Sequence, residues 1–188
     1  SAEVSTVSKR KAEFDAIGTK LSISDPKAVA IANNKLKAYE FLKTKGIPVP
    51  KYYGVHNLQD FIDGCKVLGY PENPVCLKIV DNSGSRGVRI IDAKRNRYQI
   101  FAHEKPNSFF TSYEDMLSIL KSVEKLDEMM LVEYMPGNEY TVDLLADHGK
   151  VLHMAGRENV VSLMSIAQES IVAKIDSAYE TSKAIRNL

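Results

Sequence analysis

Residues 76–91, CLKIVDNSGSRGVRII, constrain the fold of this chain more than any other stretch. Apolar residues on both sides of DNSGSRG indicate two strands joined by a glycine-containing loop, in a hairpin longer than the tight two-residue kind. The first strand carries a single charged residue, Lys78, near its centre. Such a strand must either expose one face to water or hold the ammonium group against a specific anion.

The loop itself contains groups that could bind an anion. Gly84 and Gly87 allow the backbone to turn tightly and to approach a ligand, while Ser83, Ser85 and their amides supply donors for phosphate oxygens. Arg86 adds a second positive charge. The segment matches neither the Walker pattern nor GxGxxG, and it narrowly misses the GxSxG nucleophile elbow. A solvent-exposed hairpin whose lysine reaches into water explains the same residues, so both interpretations stay open.

Three more polar residues are candidates for binding, each with an ordinary alternative. Glu139 opens a predicted strand after Pro-Gly-Asn, where a carboxylate can accept two hydroxyl donors at once. Lys35 stands in the first turn of a predicted helix. Either one, taken alone, is more typical of a solvated surface residue. Arg157 forms either a surface ion pair with the adjacent Glu158 or a contact to a substrate.

Composition excludes several classes of protein. The chain has 188 residues, of which 44% are hydrophobic, and a formal net charge of +1, so we expect a globular core and no general attraction to nucleic acid or membranes. No window approaches the roughly 18 apolar residues of a membrane span. Cys65 and Cys76 lie outside metal or redox spacings and the histidines show no ligand spacing, so we predict no metal site and a cytoplasmic location. The basic stretch RGVRIIDAKRNR lacks the aromatic platform of a nucleic-acid site.

Periodicity and capping signals predict a mixture of helices and strands. Asn34 and Asn57 are placed to begin helices, and Thr111 with Glu114 or Ser112 with Asp115 would begin another. The predicted helices cover residues 9–18, 34–46, 57–69, 111–126 and a segment from about Ser177. The predicted strands cover residues 19–24, 75–80, 87–92, 129–135, 139–147, 150–156 and 170–175.

Taken in order, three segments resemble the ATP-grasp superfamily, and most closely its carboxylate-amine ligase branch, which includes the large subunit of carbamoyl-phosphate synthase. They are ISDPKAVAIANNKLKAYEFLKTKGIPVPKY, CLKIVDNSGSRGV and LVEYMPGNEYTVDLL. The resemblance runs over nearly the whole chain and implies an α+β, partial ATP-grasp fold with a nucleotide-binding lid and part of the core sheet.

The resemblance also implies roles for particular residues. Lys35 and Lys78 match two lysines that contact nucleotide phosphates, although Asn34 stands where an aspartate is usual. The loop Ser83, Gly84, Ser85, Arg86 and Gly87 matches the flexible loop that closes over the phosphates. Val132, Glu133, Tyr134 and Met135 match the edge that pairs with adenine, and Glu139 matches the carboxylate that holds the ribose. Arg157 would contact the substrate, and no catalytic residue is assigned.

The implied activity is ATP-dependent ligation, in which a carboxylate receives a phosphoryl group from ATP and an amine or ammonia attacks the acylphosphate. The family's Glu-x-Asn magnesium motif does not occur in these 188 residues, so we expect Mg²⁺ to bind only in a full-length parent protein and this fragment to be inactive alone. The resemblance also implies domain boundaries. The end of a preceding domain would cover residues 1–33, and the N-terminal helical part of the ATP-grasp domain would cover residues 34–72. The lid would cover residues 73–135, and the C-terminal subdomain would begin with residues 136–188.

Two rival functions remain. A nucleotide-binding module without ligase activity would retain the phosphate contacts, whereas a structural or interaction domain would leave Lys35, Lys78 and Glu139 as plain surface residues. We also expect exposed apolar sheet surface in the C-terminal part to favour association into a homo-oligomer.

Overall fold

The chain folds into two β-sheets with helices that pack on the first of them. The computed structural model describes residues 2–148, 150–163, 166–174, 176 and 179–180. The helices are α1 Ala2–Lys9, α2 Lys11–Ala16, α3 Pro26–Ala32, α4 Lys35–Thr44, α5 Leu58–Val67, α6 Arg97–His103 and α7 Tyr113–Lys121. The strands are β1 Tyr52–Val55, β2 Val75–Ile79, β3 Val88–Ile91, β4 Phe110–Thr111, β5 Met129–Glu133, β6 Glu139–Asp147, β7 Lys150–Leu163 and β8 Ile166–Val172.

The first sheet has five strands in the order β1-β5-β2-β3-β4. The β3–β4 pair is parallel and the other pairs are antiparallel. β2 lies at the centre, with Leu77 opposite both Leu131 of β5 and Arg89 of β3. Because side chains alternate along a strand, this register assigns Cys76 and Lys78 to one face and Leu77 to the other.

The main hydrophobic core fills the face of this sheet that Leu77 occupies. Phe61 of α5 and Met116 of α7 are buried there against the apolar residues of β2, β3 and β5. The Tyr113 ring stacks on Phe61, with centroids 5.6 Å apart. Asn57 caps α5 by accepting a hydrogen bond from the Asp60 amide, which fixes where this amphipathic helix begins.

The opposite face is only partly covered. Leu36 of α4 packs on Val80, Met130 and Val132 in a second, smaller core cluster. The same face continues across β2 and β3, where Lys78 lies opposite Val88, and this part borders a cleft. One face of the sheet is therefore buried by helices while the other is left open over its central strands.

The second sheet contains β6, β7 and β8 in that order, all antiparallel. Its register places Glu139 opposite Asn159 and Thr141 opposite Arg157. Residues that lie directly opposite each other share a face, as do residues two apart along a strand. Glu139 and Arg157 therefore lie on the same face of this sheet.

Most predicted elements are confirmed. Asn34 and Asn57 cap α4 and α5, and the strands around the glycine loop form the predicted antiparallel hairpin. α7 begins at the second of the two candidate caps, because the Ser112 hydroxyl accepts from the Asp115 amide. Gly18 has a φ of +81° just after α2, as expected where a helix ends.

Other element predictions were wrong. The strand predicted over residues 19–24 has no regular structure. The first predicted helix corresponds to α2 alone, and α7 ends at Lys121 instead of residue 126. β7 extends beyond residue 156, and β8 begins before residue 170. The prediction missed α1, α3, α6, β1 and β4. The helix predicted from about Ser177 lies mostly outside the described residues. The domain boundaries stay a prediction.

The N-terminus of α4 is hydrogen-bonded to Glu128, the residue that directly precedes β5. Asn34 accepts a hydrogen bond from the Lys37 amide through its oxygen and donates from Nδ2 to Glu128 Oε2 at 2.9 Å. Glu128 also accepts, through its backbone oxygen, from the Val80 amide. An aspartate at position 34 could cap the helix but could not donate to Glu128, so the contact explains why asparagine replaces the expected aspartate.

We therefore expect Asn34→Asp to lower the free energy of unfolding by about 1 kcal/mol, because it replaces a hydrogen bond with two facing carboxylates. Urea denaturation checks the change. Adding Glu128→Gln should restore at least half of the loss, since the amide can donate to the new carboxylate. A double variant as unstable as Asn34→Asp alone would contradict this explanation.

The two loop glycines should differ in their effect on stability. A Cβ at Gly87 would lie 2.5 Å from Ile79 Cδ1, whereas one at Gly84 would meet nothing within 4 Å, and both have positive φ. We expect Gly87→Ala to cost about 2–4 kcal/mol of unfolding free energy, from strain plus overpacking, and Gly84→Ala about 1–2 kcal/mol. Equal losses in urea denaturation would show that Ile79 moves aside freely.

Candidate functional site

A cleft of about 370 Å³ lies over the open face of the five-stranded sheet. It runs from the glycine loop at one end to the segment that follows β5 at the other. Most of the residues predicted to bind a ligand line it: Lys35, Lys78, Ser83, Gly84, Ser85, Arg86, Val132, Glu133, Tyr134 and Met135. The fold therefore brings together segments separated by up to 100 positions in the chain.

Lys78 lies half-buried on the floor of the cleft. In the described part of the chain its ammonium group forms no hydrogen bond or ion pair. Its floor neighbours include Cys76 on the same strand and Val88 and Ile90 on β3. A positive charge in apolar surroundings attracts an anion more strongly than one in bulk water, because screening is weaker there.

The glycine loop bends sharply over this end of the cleft. Gly84, Ser85 and Gly87 all have φ between 61° and 70°, a region that residues other than glycine rarely adopt. Arg86 is exposed, and its guanidinium donates to Ser83 Oγ over 3.4 Å. Gly87 packs so closely on Ile79 that any side chain would collide with it, while Gly84 faces open space.

Lys35 also lines the cleft, but its ammonium group is already engaged. Nζ donates to the backbone oxygens of Ile79 and Val80, each at 3.2 Å, and to that of Asn82. Burial lowers the pKa of Lys35, the nearby Lys78 lowers it further, and Asp81 opposes the change. The two predicted phosphate lysines thus lie near each other but differ in what their ammonium groups contact.

The other end of the cleft is formed by the residues that follow β5. The Glu133 amide donates to Lys51 O and its carboxylate accepts from the Lys51 amide at 2.7 Å, so this side chain is held at the β1 edge. The Tyr134 amide donates to Pro74 O. Met135 is 62% exposed and, in the described part of the chain, its amide donates to no backbone oxygen.

An aromatic cluster supports this end of the cleft from outside. The rings of Tyr134 and Phe110 meet edge to face, 6.4 Å apart, and the Arg95 guanidinium lies 3.6 Å from the centre of the Phe110 ring. Arg95 also pairs with Glu104, which accepts a hydrogen bond from Ser108. The hydrogen bond from Ser108 is the largest single cause of a lowered pKa at Glu104. The hydrogen bond and the charge of Arg95 lower this pKa further, and burial opposes the change.

Three predicted residues, Gly87, Glu139 and Arg157, do not line the cleft. Glu139 is exposed at the start of β6, and Arg157 lies near the middle of β7, where its guanidinium is 3.5 Å from an Asp143 carboxylate oxygen. Arg157 Nε is buried and has no hydrogen-bond partner among the described residues. The two predicted residues share one face of the second sheet.

Sequence reasoning missed five lining residues: Cys76, Asn82, Val88, Ile90 and Phe109. The hairpin register pairs Cys76 with Ile90 and Lys78 with Val88. Strand alternation therefore places Cys76, Val88 and Ile90 on the same face as Lys78, and this pattern could have identified all three from the sequence. Phe109 had no comparable signal. Burial raises the pKa of Cys76, although Lys78 opposes the change, and burial raises the pKa of Cys65 in the core to about 12.

Magnesium is the ion that the resemblance implies, and the described residues do not fit it. Among them no group of three or more histidine, cysteine, aspartate or glutamate side chains could hold a metal ion. We therefore derive no chemical step through a metal held by these residues. Of the helices that the structure describes, none combines the length and the apolar character needed to cross a membrane.

Comparisons with known proteins identify the fold. A family model described as ATP-grasp in the biosynthetic pathway with Ter operon matches residues 125–187. The carbamoyl phosphate synthase large chain of Thermoplasma acidophilum is 28% identical over 155 residues, which cover 82% of this chain and 13% of that protein.

Two solved structures share the fold at low sequence identity. An ADP complex of a carboxyaminoimidazole ribonucleotide synthetase matches with a TM-score of 0.64 and 17% identity, over 96% of this chain and 43% of that chain. The D-alanine–D-alanine ligase of Bacillus anthracis in complex with ATP matches with a TM-score of 0.57 and 18% identity, over 94% and 52%.

This chain spans less than two thirds of each of these proteins. The predicted resemblance to the ATP-grasp superfamily is therefore confirmed: the chain is similar in sequence to a carbamoyl phosphate synthase large chain, and its α+β structure is part of the ATP-grasp fold.

Proposed function

We propose that the cleft over β2 and β3 binds ATP, and that the protein to which these residues belong is an ATP-dependent carboxylate-amine ligase. The observation that carries the proposal is the Lys78 ammonium group, which is half-buried under a glycine loop and unpaired within the described residues. A partly buried ammonium group without a partner is stabilised strongly by a nearby anion, and a triphosphate supplies several anionic oxygens.

The two ends of the cleft differ in chemistry as the two ends of a nucleotide do. Lys78, Arg86 and the loop amides offer positive charge and donors at one end. At the other end Val132, Tyr134 and Met135 offer apolar surface beside a backbone amide that is not used in the described fold. We assign the phosphates to the first end and the adenine ring to the second, where Glu133 contributes only its backbone because its carboxylate is held by Lys51.

The two solved structures that share the fold are complexes with ADP and with ATP, which supports a nucleotide as the ligand. For the reaction we propose the two-step ligation that the resemblance to carboxylate-amine ligases implies. A substrate carboxylate oxygen attacks the terminal phosphorus of ATP to give an acylphosphate and ADP. An amine or ammonia then attacks the acyl carbon, and inorganic phosphate leaves with the bonding electrons of the C–O bond.

The substrates of this proposal are small molecules, a carboxylate and an amine or ammonia. Glu139 and Arg157 remain proposed contacts for the ribose and for the substrate, respectively, on one face of the second sheet. The residues of this chain would contribute charge neutralisation and positioning, which are most of what phosphoryl transfer requires of a protein.

Binding of ADP without magnesium tests the nucleotide site directly. In a calorimetric titration we expect Lys78→Met to weaken ADP binding at least tenfold, which corresponds to about 1.4 kcal/mol. The methionine retains the aliphatic stem that packs on the cleft floor and removes only the charge.

Arg89→Met is the matched control for this titration. Arg89 lies on the neighbouring strand of the same hairpin, opposite Leu77, so it belongs to the other face of the sheet. Its replacement should leave ADP affinity within about twofold. Unchanged ADP binding by Lys78→Met would show that the phosphates bind away from Lys78. A wild-type protein that binds no ADP would favour the alternative of a structural or interaction domain.

Protection of Cys76 gives an independent measurement. Cys76 is 8% exposed on the cleft floor, two residues before Lys78 and on the same face of β2. Cys65 lies in the helix-covered core. In a Cys65→Ala variant we expect saturating ADP to slow alkylation of Cys76 at least fivefold, because the adenine or ribose would cover the thiol. Unchanged alkylation in the presence of bound ADP would place the nucleotide away from the β2 floor.

A further inference from the structure

We infer that Lys35 is a positioning residue that holds the outgoing stem of the glycine loop, and that it does not contact phosphate itself. This deepens the proposed function and rests on it, because the loop that Lys35 holds closes over the proposed phosphate site. The inference differs from the role that the resemblance implies for this lysine.

The donors of the Lys35 ammonium group are fully used. A lysine ammonium has three N–H donors and no acceptor. The Lys35 group donates to three backbone oxygens, those of Ile79, Val80 and Asn82. A contact to a phosphate oxygen would have to break one of them and leave a partly buried carbonyl without its donor, which costs free energy.

The three oxygens belong to the segment where β2 ends and the loop begins. The Lys35 backbone amide donates to Val80 O at 3.0 Å as well, so one residue contributes all its donors to this stem. The returning stem is fixed separately, since the Ile79 amide donates to Gly87 O and Gly87 packs on Ile79. Between the two stems, Gly84 has open space around it, so the tip keeps freedom that the stems lack.

The position of Lys35 in the fold makes this connection rigid. Asn34 caps α4 and donates to Glu128, whose backbone oxygen accepts from the Val80 amide. Lys35 therefore joins the start of a helix to the end of a strand at a point that β5 also supports. Loss of its side chain should loosen residues 80–83 without unfolding the sheet.

The rate of trypsin cleavage after Arg86 measures the mobility of the glycine loop in the nucleotide-free protein, because Arg86 is an exposed residue of that loop. Cleavage after Lys66, near the end of α5, reports global opening in the same digest. We expect Lys35→Met to raise the ratio of the Arg86 rate to the Lys66 rate at least tenfold. Lys37→Met is the matched control, because it removes an exposed lysine from the same helical turn and should leave the ratio unchanged.

Lys35→Arg separates positioning from direct phosphate binding. Three carbonyls converge on one nitrogen here, and the planar guanidinium fork cannot reproduce that geometry although it keeps the charge. We expect this variant to raise the cleavage ratio and to weaken ADP binding at least threefold. An unchanged ratio in Lys35→Met, or wild-type ratio and affinity in Lys35→Arg, would overturn the inference.

The two proposals fail in different ways. A wild-type chain that binds no ADP would refute the nucleotide site, yet the cleavage ratios would still test the loop. Normal ADP binding with an unchanged ratio in Lys35→Met would refute the positioning role alone.

Discussion

The ammonium group of Lys78 is the feature on which the rest of the site depends. The group sits on the central strand of a sheet whose other face carries the main hydrophobic core, so β2 must keep one face open to accommodate it. Burial lowers the pKa of Lys35, and the nearby Lys78 charge lowers it further. An anion held by Lys78 would oppose this effect and raise the Lys35 pKa, so anion binding and the charge state of Lys35 are linked.

Residues within one supersecondary unit were the ones that sequence reasoning placed well. The hairpin, its glycine loop and the caps of α4, α5 and α7 follow from signals a few positions apart. Lys35 shows where such reasoning ends. Its first-turn position was predictable, but its partners lie 44–47 positions away, and only the packing of α4 on the sheet brings them together. The missed helix α3 had a local signal, because Asp25 caps it and Pro26 occupies its first turn.

The same distinction explains the cleft walls. Cys76, Val88 and Ile90 follow from the strand alternation once Lys78 defines a face. Phe109 precedes β4, a two-residue strand that pairs in parallel with β3, and such a short element carries too little pattern to be read from sequence. The Arg95–Phe110–Tyr134 contacts likewise depend on the course of the chain through α6, a helix the sequence reading missed.

The role proposed for the glycine loop combines two requirements that usually conflict. A loop that covers phosphates must move to admit them, yet its amides must return to the same positions each time. Here the stems are fixed by contacts that only particular residues can make, Lys35 on the outgoing side and Gly87 against Ile79 on the returning side. The freedom is confined to the tip around Gly84, where added volume meets nothing. In this proposal, a loop whose two stems are already fixed would lose less conformational entropy on closing than a loop that is free along its whole length.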